Sequence, residues 1–221
     1  MITPKWIFLD FDGVIMDSML LKLDAYCFAL AEFGFTREAV LEEQLKYAGL
    51  SRSRAVPLMF RGLAGREVTS EEAARILTRF AEEDIRLRPK MQLLPGVENF
   101  LREAARREIP LAVVTGTPQE VIDGTVNFFD IRKWFREVHG YPPAKPEHLQ
   151  GLLTRHGLRP SEALYVGDSI IDIRSAHEVG IPFIGVNRGD DPFAGMTMVA
   201  EVTGLGEVGG LLGWPERARE G

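Results

Sequence analysis

The chain has 221 residues, 45% hydrophobic and 26% charged, which is enough apolar material for a sizeable core in one domain with an insertion or in two small ones, and too much for a disordered chain. A formal net charge of -6, with no run of Lys and Arg, excludes a nucleic-acid or anionic-membrane surface and leaves only a local basic patch for a small anion. The single cysteine excludes an intramolecular disulfide or thiolate metal cage. With no secretory leader pattern and no apolar run of membrane-spanning length, a soluble cytoplasmic protein is expected.

Trp6-Ile7-Phe8-Leu9 runs straight into Asp10-Phe11-Asp12-Gly13, which predicts a short buried strand ending in two carboxylates and a glycine turn. Past Asp17 the pattern becomes helical, with Leu20, Leu21, Ala25, Phe28, Ala29 and Phe33 at helical spacing until Gly34. Cys27 falls within that apolar pattern and is expected to be a buried thiol. Helices are predicted over 38–47 and 55–60, with Gly49 to Arg54 as a loop between them. Thr69 and Glu72 form a capping-box signature ahead of the stripe Ala73, Ile76, Leu77, Phe80 and Ala81, and this helical block closes near Pro89.

Leu94-Pro95-Gly96 opens a helix over 97–107, and Pro110 to Thr115 is a second buried strand. Thr117-Pro118-Gln119-Glu120 predicts a cap, a proline at the first helical position and a helix towards Phe129. A helix over 146–156, a strand over 163–166, a helix over 170–179 and a strand over 182–186 follow, then a short strand over 198–202 and a helix over 205–212. The order describes an α/β fold. A doubly wound, Rossmann-like parallel sheet built from 1–16 and 89–221 is interrupted after its first strand by an inserted α-helical cap domain over 17–88.

Two carboxylates at the carboxyl edge of a buried parallel strand repel each other and call for a cation or a shared proton, and that edge is where open α/β sheets bind ligands. Thr115 closes the second strand just before a helix, where its hydroxyl and the N–H of Gly116 are placed to hold a phosphoryl oxygen, although a structural helix cap has the same pattern. Lys145, ahead of the next helix, is either an ammonium brought to the same edge or a solvated surface lysine. Leu164 to Asp172 repeats the theme, with a strand ending in Asp168 and a second carboxylate, Asp172, one helical turn on. Such a pair suits magnesium, which takes hard oxygen ligands, and equally suits a cap with a first-turn acid.

These pieces fall in one order along the chain. Asp10-Phe11-Asp12-Gly13, Thr115, Lys145-Pro146 and Gly167-Asp168-Ser169-Ile170-Ile171-Asp172 resemble the four motifs of the haloacid dehalogenase-like hydrolases, and the likeness extends over roughly residues 5–190. The inserted helices resemble the small cap of the phosphoglycolate phosphatase and β-phosphoglucomutase branches. The resemblance implies that Asp10 is a nucleophile forming an aspartyl-phosphate, that Asp12 is the general acid and base, and that Thr115 and Lys145 stabilise the transferring phosphoryl group. It further implies a magnesium ion on Asp10, the carbonyl of Asp12 and Asp168, with Asp172 close behind. A carboxylate at Asp12 is what the phosphatases of the family carry, so a small phosphorylated metabolite is the expected substrate. Gly49-Leu50-Ser51-Arg52 is similar to a segment that holds a second anion in mutases, which makes Arg52 and Arg54 candidate substrate contacts, and Lys22, near a position where β-phosphoglucomutases carry a histidine, is a third. A sugar-phosphate mutase is the alternative activity, disfavoured because all four histidines lie outside the cap, and a noncatalytic binder is disfavoured by the presence of Asp12 beside Asp10.

Overall fold

The computed structural model describes residues 3–189 and 192–214. Strand β1 (Trp6–Leu9) is buried along its whole length, as a central parallel strand covered on both faces must be. The chain then passes through β2 (Met16–Asp17) into four helices: α1 (Met19–Leu30), α2 (Arg37–Lys46), α3 (Arg52–Ala64) and α4 (Ser70–Leu87). It leaves them through β3 (Gln92–Leu93), which forms a two-stranded sheet with β2. Next come α5 (Val97–Arg106), β4 (Leu111–Pro118), α6 (Gln119–Phe128), β5 (Glu137–Tyr141) and α7 (Lys145–Arg155). The last elements are β6 (Ala163–Gly167), α8 (Ile170–Val179), β7 (Phe183–Val186), β8 (Ala200–Val202) and α9 (Leu205–Leu211).

Six strands form one sheet in the order β5-β4-β1-β6-β7-β8, and every pairing is parallel. From β1 the winding goes outward through β4 and β5, then returns to the other side of β1 at β6. The strand order therefore reverses at β1, and the crevice beyond its carboxyl end is the topological switch point at which such sheets bind ligands. Phe8, Ala112, Val114, Tyr165 and Phe183 from the strands pack with Leu149, Leu152 and Ile173 from α7 and α8 into one buried cluster. Among the described residues, no helix is long and apolar enough to cross a membrane.

The chain divides into two compact units, Asp17–Gln92 and the described residues of Met1–Met16 with Leu93–Gly221. Position 89, the expected point of return, falls in a 3-10 turn over Arg88–Lys90. The helical unit has its own core of Leu23, Tyr26, Met59, Phe60, Ile76 and Phe80, and the Thr69–Glu72 capping box is formed at the start of α4. Cys27, expected to be buried, is half-buried at the edge of that core, and burial raises its thiol pKa. Arg52 and Arg54, expected in a loop, lie in the first turn of α3, because Ser51 takes an extended conformation at the cap position and starts the helix earlier than the apolar periodicity indicates. Another difference is β5, absent from the sequence reading. It is the edge strand of its sheet and alternates half-buried with buried residues, so only Val138 and Gly140 are covered.

Arg52 is drawn into the helical unit. Its guanidinium lies 3.2 Å from Asp84 Oδ2 and 4.5 Å above the centre of the Phe80 ring, with only 10% of the side chain exposed. Replacing Arg52 by Met while Asp84 remains strands a buried carboxylate and is expected to cost this unit about 3 kcal/mol. The Arg52→Met, Asp84→Leu pair restores most of that loss, and hydrogen exchange of the α1 and α4 amides measures both.

Candidate active site

Asp10 is the first residue past β1. Its N–H still bonds to the Val166 carbonyl on β6 at 2.9 Å, so the side chain is delivered at the sheet edge with the accuracy of the strand itself. It is 3% exposed; Oδ1 accepts the Phe11 N–H at 2.7 Å and Oδ2 lies 2.9 Å from Lys145 Nζ. Lys145 is the first residue of α7, itself buried, and its ammonium also donates to Asp172 Oδ1 at 2.6 Å. One cation thus bridges a carboxylate from the end of β1 and one from the first turn of α8. The surface-lysine reading does not hold.

Asp172, fully buried, is surrounded by donors. Tyr165 donates its hydroxyl to Oδ1, and Ser169 donates both its N–H, at 3.1 Å, and its hydroxyl, at 2.5 Å, to Oδ2. Gly167 permits this approach, since a Cβ there would stand 2.3 Å from the Cβ of Asp172. Asp168 enters from the turn between β6 and α8, and one oxygen each of Asp10, Asp168 and Asp172 lie within 4.8 Å of one another. Gly13 is the other close approach: its φ of +79° is open to glycine, and a Cβ there would lie 1.8 Å from Asp168 Oδ2.

Thr117 departs from its expected role. Pro118 takes the cap position of α6, and the Thr117 hydroxyl instead donates to Asp12 Oδ2 at 2.9 Å. Thr115, buried at the end of the apolar run of β4, accepts the Thr117 N–H on its hydroxyl oxygen at 3.2 Å, and Gly116 lies half-buried between them. Asp10, Asp12, Thr115, Gly116, Lys145, Asp168 and Asp172 all belong to the sheet-bearing unit and to the carboxyl edge of β1, β4 and β6. Lys22, half-buried on α1, and Arg54, exposed on α3, belong to the helical unit with Arg52. Sequence reasoning missed Thr117, Tyr165 and Ser169 as parts of the site. The Ser-x-x-Asp spacing of Ser169 and Asp172 carries a capping signal that identifies the pair, while Tyr165 is indistinguishable from an ordinary core aromatic.

Charge explains the arrangement. Burial first, then Asp172, pushes the Asp10 carboxyl up to about 7, even though Lys145 pulls the other way. Asp168 is raised as well, by desolvation in the cleft and then by Asp10. Burial works against the charge on Lys145, but Asp10 and Asp172 outweigh it and raise its pKa. With one ammonium facing Asp10, Asp168, Asp172 and, nearby, Asp12, the edge carries an excess of negative charge. The donors are all oxygens, so the set fits a hard divalent cation. Since both oxygens of Asp172 already accept from Lys145, Tyr165 and Ser169, Asp10 and Asp168 are the better placed side-chain ligands.

Comparison with known proteins identifies the family. A family model described as haloacid dehalogenase-like hydrolase matches residues 7–186. The phosphoglycolate phosphatase of Synechococcus elongatus is 27% identical over 185 residues, covering 83% of this chain and 84% of that protein. The phosphoglycolate phosphatase of Escherichia coli K12 is 26% identical over 207 residues, covering 81% and 80%. A crystal structure described as a "predicted phosphoglycolate phosphatase" from Haemophilus somnus 129PT superposes with a TM-score of 0.80 at 24% identity, covering 94% of this chain and 97% of its own, and so shares the fold.

Gly13 supplies the test of the cluster. Gly13→Ala places a methyl where Asp168 Oδ2 now lies and strains the turn, so the variant is expected to bind a divalent cation at least about tenfold more weakly than the wild type. Titration calorimetry with magnesium as the probe measures the difference.

Proposed function

The chain belongs to the haloacid dehalogenase-like hydrolases and is a phosphoric monoester hydrolase; we propose that it is magnesium-dependent and cleaves a small phosphorylated metabolite through an aspartyl-phosphate on Asp10. The observation that carries the proposal is Lys145 bridging Asp10 and Asp172 inside a carboxylate cluster at the switch point of the sheet. A lone buried acid would stay protonated. The ammonium 2.9 Å from Asp10 Oδ2 keeps this one available as a nucleophile and offers positive charge to the incoming phosphoryl oxygens.

In the first step an Asp10 oxygen forms a bond to phosphorus as the bond to the ester oxygen breaks, and Asp12 gives its proton to the departing alkoxide. In the second step Asp12 takes a proton from water as that water attacks phosphorus, the bond to Asp10 breaks, and inorganic phosphate leaves. Thr117, donating to Asp12 Oδ2, fixes the direction of this carboxyl group between the two steps. Thr115 and the N–H of Gly116 are proposed to hold phosphoryl oxygens. Magnesium, when bound by Asp10, the carbonyl of Asp12 and Asp168, supplies charge neutralisation for the phosphoryl group.

Choice of substrate is assigned to the helical unit, through Lys22, Arg52 and Arg54. Arg54 presents an exposed guanidinium, whereas Arg52 is already engaged by Asp84 and would contact a substrate anion only by sharing that partner. The matched relatives named phosphoglycolate phosphatases make a two-carbon ester bearing a carboxylate the first substrate to examine.

Phosphate release from phosphoglycolate and a panel of sugar phosphates is the decisive assay. Asp10→Asn is expected to lower kcat by more than about a thousandfold, with the metal-chelated wild type similarly inactive. Full turnover by Asp10→Asn, or organic phosphate moved to another hydroxyl without release, would overturn the reading.

A further inference from the structure

The register of β4 and β5 breaks where the reacting residues are. Val114 pairs with His139 and Pro118 with Tyr141, so Thr115, Gly116 and Thr117 on β4 stand against Gly140 alone. An interrupted ladder is a weak support for side chains whose position decides the rate. Two side chains that take no part in the proposed chemistry close on this spot. Gln119, first residue of α6, accepts the Gly140 N–H on Oε1 at 2.6 Å and donates from Nε2 to the Val138 carbonyl at 3.2 Å, with Asp123 Oδ2 3.0 Å from the same nitrogen. Its carboxamide thus offers β5 a donor and an acceptor, as the peptide of a neighbouring strand does. From the other side His148, in the second turn of α7, donates from Nε2 to the Gly140 carbonyl at 2.9 Å, and its ring lies 4.9 Å from that of His139.

Gly140 has no room to spare. A Cβ there would stand 2.6 Å from the Thr117 carbonyl oxygen and 2.7 Å from the Gln119 Cα, so the two turns meet on a bare peptide. Gln119 follows directly on the turn that presents Thr115 and Thr117, and His148 belongs to the helix whose first residue is Lys145. We propose that Gln119 and His148 are positioning residues that grip Gly140, one at its N–H and the other at its carbonyl, and thereby hold the Thr115–Thr117 segment of β4 in register with Lys145. Neither touches the reacting atoms. They act through Thr117 on Asp12 and through Lys145 on Asp10. The inference rests on the phosphatase reading for its catalytic consequence and on geometry alone for the brace.

Gln119→Met keeps the length of the side chain and removes both hydrogen bonds, while His148→Phe keeps the ring and removes the donor. Each is expected to lower kcat between about ten- and a hundredfold with less change in KM, because a displacement on the order of 1 Å at a reacting group has that effect. His148→Gln, which restores a donor, recovers most of the loss. The double variant falls short of the product of the single effects, since both grip one residue. The Gly140 amide, read by hydrogen exchange, opens at least about tenfold faster in Gln119→Met, while Val113 and Val114 stay protected. Unchanged kcat in both single variants, or unchanged exchange at Gly140, would overturn the proposal, as would a loss that His148→Gln fails to recover. A wild type that releases no phosphate from any ester would instead refute the reaction, and the exchange result alone would then decide the brace.

Discussion

Everything in the sheet-bearing unit turns on the repulsion among carboxylates collected at one edge and on the single ammonium that relieves it. Asp10 and Asp168 come from the ends of β1 and β6 and Asp172 from the first turn of α8, and in water each would be ionised and indifferent to the others. Brought together with little solvent, they raise the proton affinity of Asp10 and Asp168, and the fold tolerates this only because Lys145 stands between Asp10 and Asp172. Such a constellation is a poor source of stability. The proposed phosphatase reaction would account for it, since an excess of negative charge on oxygen donors favours a hard cation.

The position of the cluster follows from topology. In an open parallel sheet a crevice forms at the carboxyl ends of the strands where the winding changes direction, and β1 is the strand at which this happens. Continuing the pairing one residue past β1, through the Asp10 N–H to the Val166 carbonyl, gives the nucleophile candidate the rigidity of a ladder. The donors around Asp172 serve a related end. Tyr165, Ser169 and Lys145 satisfy both of its oxygens, so Asp172 is fixed as a counter-charge that holds the ammonium where Asp10 needs it.

Much of this was legible in the sequence because the strands that matter are buried on both faces. Trp6–Leu9, Leu111–Val114 and Ala163–Val166 are uninterrupted apolar runs, and a charge ending such a run stands out. The capping box of Thr69 and Glu72 was readable for a similar reason, being a local signal that tertiary contacts do not override. What escaped lies where local and tertiary demands diverge. As an edge strand whose outer positions are polar, β5 carries Glu137 and His139 at half-buried sites and loses the apolar signature. Thr117 reads as a helix cap because a hydroxyl ahead of a proline and a glutamate usually is one, and only the approach of Asp12 from a distant part of the chain diverts it. Nothing in the sequence reveals that Asp84 will meet the guanidinium of Arg52 inside the helical unit.

The same divergence explains why reacting groups and their supports are encoded so differently. A carboxylate at a strand end is written in a few contiguous residues, since the strand carries it to the edge. Its companions have no such carrier. Thr115, Thr117 and Lys145 sit where strand pairing has lapsed or a helix has just begun, and Gly140 is bare enough to let β5 meet Thr117 and Gln119 closely. A sheet whose ladder opens at this edge gains side-chain amides and imidazoles in place of the missing regularity. Residues such as Gln119 and His148 are therefore part of the site's construction even though the reaction never reaches them.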